Sequence, residues 1–175
     1  MIQTYIQQLN DAIIAGLGQF EANIKGIAQP VYVIDEDAEI QVPYITTNGE
    51  DQHVFIDDDY DFGLYHKQRG VAYIEDFTKG FGDKKRIQEA QDLSIIAWGF
   101  ESRISAEELK DYILTISPDF VRFVSVSFDK KAIFNAEFKG IEFMVDESIF
   151  LIQINYKVQY DVKKSCLEIN SKFNI

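Results

Sequence analysis

The chain has 175 residues, is 46% hydrophobic and 14% aromatic, and carries a formal net charge of -12 with a pI near 4.5. A chain of this length buries about 70% of the surface it exposes when unfolded, which is enough for one core and excludes a tail or linker. Its acidity excludes a grip on nucleic-acid phosphates built on clustered Lys and Arg, and a single cysteine, Cys166, excludes an intrachain disulfide and a Cys-based zinc framework.

In chain order, the first segment, "MIQTYIQQLNDAIIAGLGQF", sets Ile2, Ile6, Leu9, Ile13, Leu17 and Phe20 at spacings of three and four. That stripe predicts an amphipathic helix over 1–22, weakened in its last turn by Gly16 and Gly18. The segment lacks the basic, then apolar, then small-residue order of a signal peptide, and no apolar run approaches the roughly 18 residues of a membrane span. A cytoplasmic product away from membranes is expected.

From Val31 the pattern becomes short β-rich runs, "VYVI" and "IQVPYI", separated by "DEDAE". "TTNGEDQ" supplies an Asn-Gly turn before "HVFI", and Pro43 suits an edge strand. Residues 31–80 therefore read as a β-rich segment with an acidic loop, which "LYHKQRGVAYIEDF" continues.

In "KGFGDKKRIQEAQDLSIIAWGFES" the first part has helical character, while "DLSIIAWGF" reads as a buried strand holding Trp98. "SAEELKDYILTIS" opens with Ser105 as an N-cap and Glu108 three residues on, a capping box. Leu109, Tyr112, Ile113 and Ile116 form the stripe of that helix, and Pro118 ends it. "FVRFVSVSF" and "KAIFNAEF" are expected to be strands.

The clearest signal is "IFLIQINYKVQYDV", Ile149 to Val162. Phe150, Ile152, Ile154, Tyr156, Val158 and Tyr160 alternate with Leu151, Gln153, Asn155, Lys157 and Gln159. Period two predicts a strand of an antiparallel sheet solvated on one face. At about 3.3 Å per residue it spans roughly 46 Å, so either a bulge bends it or part of it projects and offers an edge to a neighbouring subunit. The expected fold is one α+β domain: an antiparallel β-sheet with two main helices packed on one face, plus a small β-rich flank, residues 86–175 supplying the strand, the capped helix and the long strands.

No strong catalytic signature is present. "HVFIDDDYDFGLYHKQRG" gathers Asp57, Asp58, Asp59 and Asp61 between His53 and His66. Taking Asp57, Asp59 and Asp61 as the first ligands of an EF-hand loop puts Phe62 where glycine is needed and Gln68 where the bidentate Glu belongs. A transition-metal site at His53, His66 and an aspartate has suitable ligand types but matches no recognised spacing. The segment reads as a solvated acidic loop or an interaction loop that selects a basic partner. "KGFGDKKR", Lys79 to Arg86, lacks the Walker pattern and the third glycine of a dinucleotide fingerprint. No G-x-S-x-G elbow occurs, and Cys166 has no histidine close in sequence. No catalytic residue, cofactor or metal is expected. The interface candidates are Asp57, Asp58, Asp59, Asp61, Gln153, Asn155, Lys157 and Gln159.

The order of elements, carried by "QDLSIIAWGF", "SAEELKDYILTIS" and "FLIQINYKVQYDV", resembles the tail-terminator and tail-completion (neck) proteins of long-tailed bacteriophages and prophages. The resemblance lies mainly in the C-terminal half. It implies a structural, non-enzymatic protein of the virion tail or neck, assembled in the host bacterial cytoplasm. It implies a ring, of six subunits, that caps the tail tube and joins it to the neck, with tube and neck proteins as partners. DNA would pass the lumen without sequence-specific contact. A small-ligand-binding α+β domain, with a pocket between the helices and the aromatic sheet face, is the alternative. A metal-dependent hydrolase at His53 and His66 is a further one.

Overall fold

The computed structural model describes residues 2–56, 59–77 and 86–161. Helix α1 (Ile2–Gly16) is followed by strands β1 (Ala22–Asp35), β2 (Ala38–Thr47), β3 (Glu50–His53), β4 (Phe62–Gln68), β5 (Tyr73–Phe77) and β6 (Arg86–Phe100). Helix α2 (Ala106–Ile116), strand β7 (Val121–Ser127), helix α3 (Lys130–Glu137) and strand β8 (Ile149–Asp161) complete the order. The strands form one sheet ordered β3-β2-β1-β4-β6-β8-β7, with β5 also paired to β6. The class is α+β.

Turn chemistry sets the first three strands. Asn48 and Gly49 adopt positive φ, closing β2 onto β3 in the two-residue hairpin that Asn-Gly favours. Glu36 and Asp37 do the same between β1 and β2. Pro43 sits one residue beyond the last β2–β3 pair, Tyr44 with His53, so its missing N–H breaks no ladder bond there. β3 runs in the direction of β1, and β4 is parallel to β1. The chain must therefore travel back between His53 and Phe62, a return that carries Asp59 and Asp61.

The sheet is thus mixed, with one parallel pair among the described strands, β1 with β4, on the N-terminal side. β8 does not project. Antiparallel pairs with β6 run from Gln88–Asp161 to Phe100–Ile149, because β6 is as long as β8. β7 flanks the other side of β8, and the irregularity lies in β7, between Phe123 and Ser125. Arg86 to Gln91, given helical character above, belongs to β6.

Helices α1 and α2 share one face of the sheet. Ile6, Leu9 and Ile13 of α1 and Leu109 and Ile113 of α2 pack with Leu93, Ile95, Phe150, Ile152, Ile154 and Tyr156. The alternation of β8 is realised here, each such burial contributing about 1.5–3 kcal/mol. The last residue of α1 must be glycine, because the Tyr112 hydroxyl of α2 lies 1.1 Å from where a Cβ on Gly16 would stand. The capping box forms as predicted: the Glu108 N–H donates to Ser105 Oγ at 3.2 Å, and the Ser105 N–H donates to Glu108 at 2.9 Å. The Ser105 N–H and then the Ser105 hydroxyl, both donating to the Glu108 carboxylate, hold its carboxyl below its ordinary pKa.

"KAIFNAEF" is a helix, not a strand. Asp129 caps it by accepting from the Ala132 N–H at 3.0 Å. Ile133 and Glu137, and Phe134 and Phe138, then fall one turn apart, the two rings stacking at 4.8 Å. α3 occupies the opposite face of the sheet from α1 and α2, over Tyr65, Ile96, Trp98, Ile149 and Leu151. Trp98 lies across Gly63, where any Cβ would meet its ring within 2.3 Å. The Trp98 ring thus covers the glycine of the neighbouring strand.

Candidate functional site

β4 contributes successive residues to two buried polar groupings on opposite faces, as strand alternation requires. His66 is fully buried under α1. Its Nδ1 lies 2.6 Å from the Tyr156 hydroxyl of β8, and its Nε2 lies 2.6 Å from Asn10 Oδ1 of α1. With Nε2 protonated and donating to Asn10, Nδ1 accepts the Tyr156 O–H, and both ring nitrogens are satisfied by a neutral imidazole. Burial holds the His66 pKa at about 3 and pushes the Tyr156 phenol well up. The three side chains form a neutral chain joining helix and sheet, with no ring nitrogen left for a metal.

Tyr65 and Lys67 point to the α3 face. Tyr65 O–H donates to Glu137 Oε2 at 3.0 Å, and Lys67 Nζ donates to Glu137 Oε1 at 2.6 Å. Burial, followed by the Glu137 charge, raises the Tyr65 phenol well above its ordinary value. Glu137 is 5% exposed and the Lys67 side chain 31%. The pair is therefore a carboxylate buried on α3 and held by a cation that reaches solvent.

The acidic run divides. Asp57 and Asp58 lie outside the described residues, as do Cys166 and Lys79 to Lys85 of "KGFGDKKR". Asp61 is a structural pin: it accepts from the Glu21 N–H at 3.1 Å and pairs with Arg103 Nε at 2.8 Å, tying the starts of β1 and β4 to the chain beyond β6. Asp59 is exposed in a bend. His53 is exposed on β3, edge-on to Phe55 at 6.0 Å. Among the described residues no group of three or more His, Cys, Asp or Glu side chains is placed to hold a metal ion.

Gln153, Asn155, Lys157 and Gln159 share the other face of β8 and are half-buried. Asn155 accepts from Ser94 at 2.7 Å and from Gln153 at 2.9 Å, and donates to Ser125 at 2.8 Å. Lys157 and Gln159 both donate to Glu75 of β5 at 2.6 Å. The hydrogen bond that Lys157 donates to Glu75 holds the Glu75 carboxyl below its ordinary pKa and raises that of Lys157. The stripe is a polar surface locked by internal bonds.

Two of the concavities among the described residues have mainly apolar linings. A cleft of about 340 Å³ opens between α1, α2 and the sheet, walled by Leu9, Ile113, Val121, Phe123, Ile154 and Tyr156. A groove of about 360 Å³ runs beside α3, between Phe134, Phe138, Met144 and Phe55. The sequence offers His66 only as a candidate metal ligand and gives no sign of its bonds to Asn10 and Tyr156 or of Glu137, because these partners are 56 to 90 residues distant. One signal was available: Asn10 follows Ile6 by four and precedes Ile13 by three, a polar residue inside an apolar stripe. Comparison with known protein families and with curated proteins gives no match.

Proposed function

We propose that the protein is a structural assembly protein of a phage or phage-like tail, forming a ring that ends the tail tube and connects it to the neck. The observation that carries this reading is the placement of uncovered apolar side chains at both extremities of one sheet. On the β3-β2-β1 side, the β1–β2 hairpin runs on past the last β1–β4 pair, Ala28 with Lys67, as an arm whose base is held by Val42 in the core and by the Gln41 N–H donating to the Lys139 carbonyl at 2.8 Å. Tyr32 is 59% and Ile34 82% exposed on it. On the opposite edge, β7 presents Phe123 and Val124. Two different sticky surfaces on opposite sides suit head-to-tail contacts that close into a ring.

In this reading α1, α2 and the central strands make a rigid protomer, the arm and β7 meet neighbours, and the locked stripe from Gln153 to Gln159, with Asp59, offers polar contacts. The net charge of -12 suits a lumen that DNA passes without adhering. Native mass over a concentration series, with negative-stain images alone and with assembled tail tubes, tests it. Rings with an open lumen are expected. A monomer that leaves tubes uncapped overturns it.

The cleft of about 340 Å³ favours a second reading, a small-ligand-binding domain, since it lies between helices and sheet with mostly apolar walls and with Ser117 and Asp119 also lining it. A thermal upshift with neutral aromatic probes, abolished by Ile113→Trp, supports that reading.

A further inference from the structure

The β7 edge offers more than exposed side chains. β7 ends the strand order, so its outer backbone groups have no neighbouring strand among the described residues. Phe123 and Val124 are 43% and 56% exposed on it. Val121 and Phe123 also wall the apolar cleft, with Tyr156 behind them. An open edge beside an apolar cleft is what strand addition uses: ladder bonds hold the incoming strand, and its alternate side chains fill the cleft.

The sequence holds a segment of matching pattern. In "CLEINSKFNI", Leu167, Ile169, Phe173 and Ile175 alternate with Glu168, Asn170, Lys172 and Asn174, the period of a half-buried strand. Residues 162–175 also carry Lys163, Lys164 and Lys172 against Glu168 alone, on a chain of net charge -12. The segment is cationic where the body is acidic, and Asp119 stands at the rim of the cleft. It follows directly on β8, whose end adjoins the start of β7 through the Gln159 N–H and the Phe120 carbonyl at 2.9 Å.

We propose that residues 162–175 of one copy add as a strand to the β7 edge of a second copy. To reach its own edge, the segment must pass around the chain entering β7 at Pro118 and run parallel to that strand, because β7 and β8 are antiparallel. Crossing another connection and forming a parallel ladder are both disfavoured. From a second copy it approaches antiparallel without either constraint. The proposal stands on β7 and this segment and does not depend on the tail reading.

The test uses full-length chains. Phe123→Asp spoils the accepting edge and leaves the donor segment intact, while the double variant Ile169→Asp, Phe173→Asp does the reverse. Wild-type mass rises with concentration by light scattering, and each variant alone stays at monomer mass. An equimolar mixture forms a one-to-one pair, since one intact edge meets one intact donor. That pairing also shows that both variants are folded, and Phe123→Ser repeats the measurement if Phe123→Asp melts early. Variants that keep the wild-type mass, a mixture that does not pair, or a wild type monomeric at every concentration each overturn the proposal. A wild-type dimer keeps the strand exchange and removes the ring, whereas a larger closed species keeps both.

Discussion

Tyr65, His66 and Lys67 are adjacent on β4, yet they serve two groupings that handle burial in opposite ways. On the α1 face, His66 joins Asn10 and Tyr156 without any charge. On the α3 face, Lys67 and Tyr65 hold the carboxylate of Glu137. The difference follows from depth. No solvent reaches His66, so a charge there has nothing to stabilise it, whereas the 31% exposure of Lys67 lets an ion pair survive beside an 8-residue helix at the margin of the core. The neutral grouping welds α1 to the sheet, and the charged one pins α3.

Among single substitutions at neutral pH, the largest expected effect breaks the charged side. Glu137→Ala strands the Tyr65 hydroxyl and unpairs Lys67, and should cost about 3 kcal/mol in urea unfolding, the low end for a broken buried pair because Lys67 can turn to water. Glu137→Gln keeps the hydrogen bond from Tyr65 and should cost less. If the two variants are equal, the charge on Glu137 is irrelevant and the contrast with His66 fails.

On the neutral side, Tyr156→Phe leaves His66 Nδ1 without a donor inside the core and should cost about 2 kcal/mol. Asn10→Leu should cost a similar amount, since it leaves Nε2–H unpaired. The double variant should lose less than the sum, because the two share one imidazole. Strict additivity would mean that the three groups do not act as one chain.

Acid distinguishes the two faces further. The folded-state pKa of His66, about 3, lies below its unfolded value near 6.5. Below pH 6.5 the unfolded chain therefore takes up a proton that the folded chain refuses. Stability should fall as pH drops from about 6.5 toward 3, by up to about 1.4 kcal/mol per pH unit from this one residue. His66→Gln should flatten that part of the profile whatever its effect at neutral pH. A profile unchanged by the substitution would show that His66 titrates freely.

How much of this was legible in the sequence depended on the range of the interaction. The capping box at Ser105 and Glu108, the Asn48-Gly49 hairpin and the alternation of β8 are local rules, and each is in the structure. α3 was misread because Ile133, Phe134 and Phe138 are as common in strands as in helices, while the deciding residue, Asp129, stood just outside the apolar run. The idea of a projecting β8 failed for a different reason: its length was legible, but nothing local said that β6 would match it. The two groupings on β4 join residues from α1, β4, α3 and β8, and only the fold brings them together.

The smallest expected effect lies outside both groupings, on the polar face of β8. Lys157 and Gln159 bond to Glu75 near solvent, so Glu75→Gln should cost under about 1 kcal/mol, a difference that shrinks further in high salt as screening removes the charge contribution. The Lys67–Glu137 pair differs in one respect that matters: its carboxylate is buried, so salt should leave the Glu137→Gln penalty largely unchanged. Measuring both variants at low and high ionic strength therefore separates two lysine–glutamate pairs with the same 2.6 Å contact. Equal salt sensitivity would mean that Glu137 is as wet as Glu75, and that the distinction between the two faces of β4 is one of position rather than of solvation.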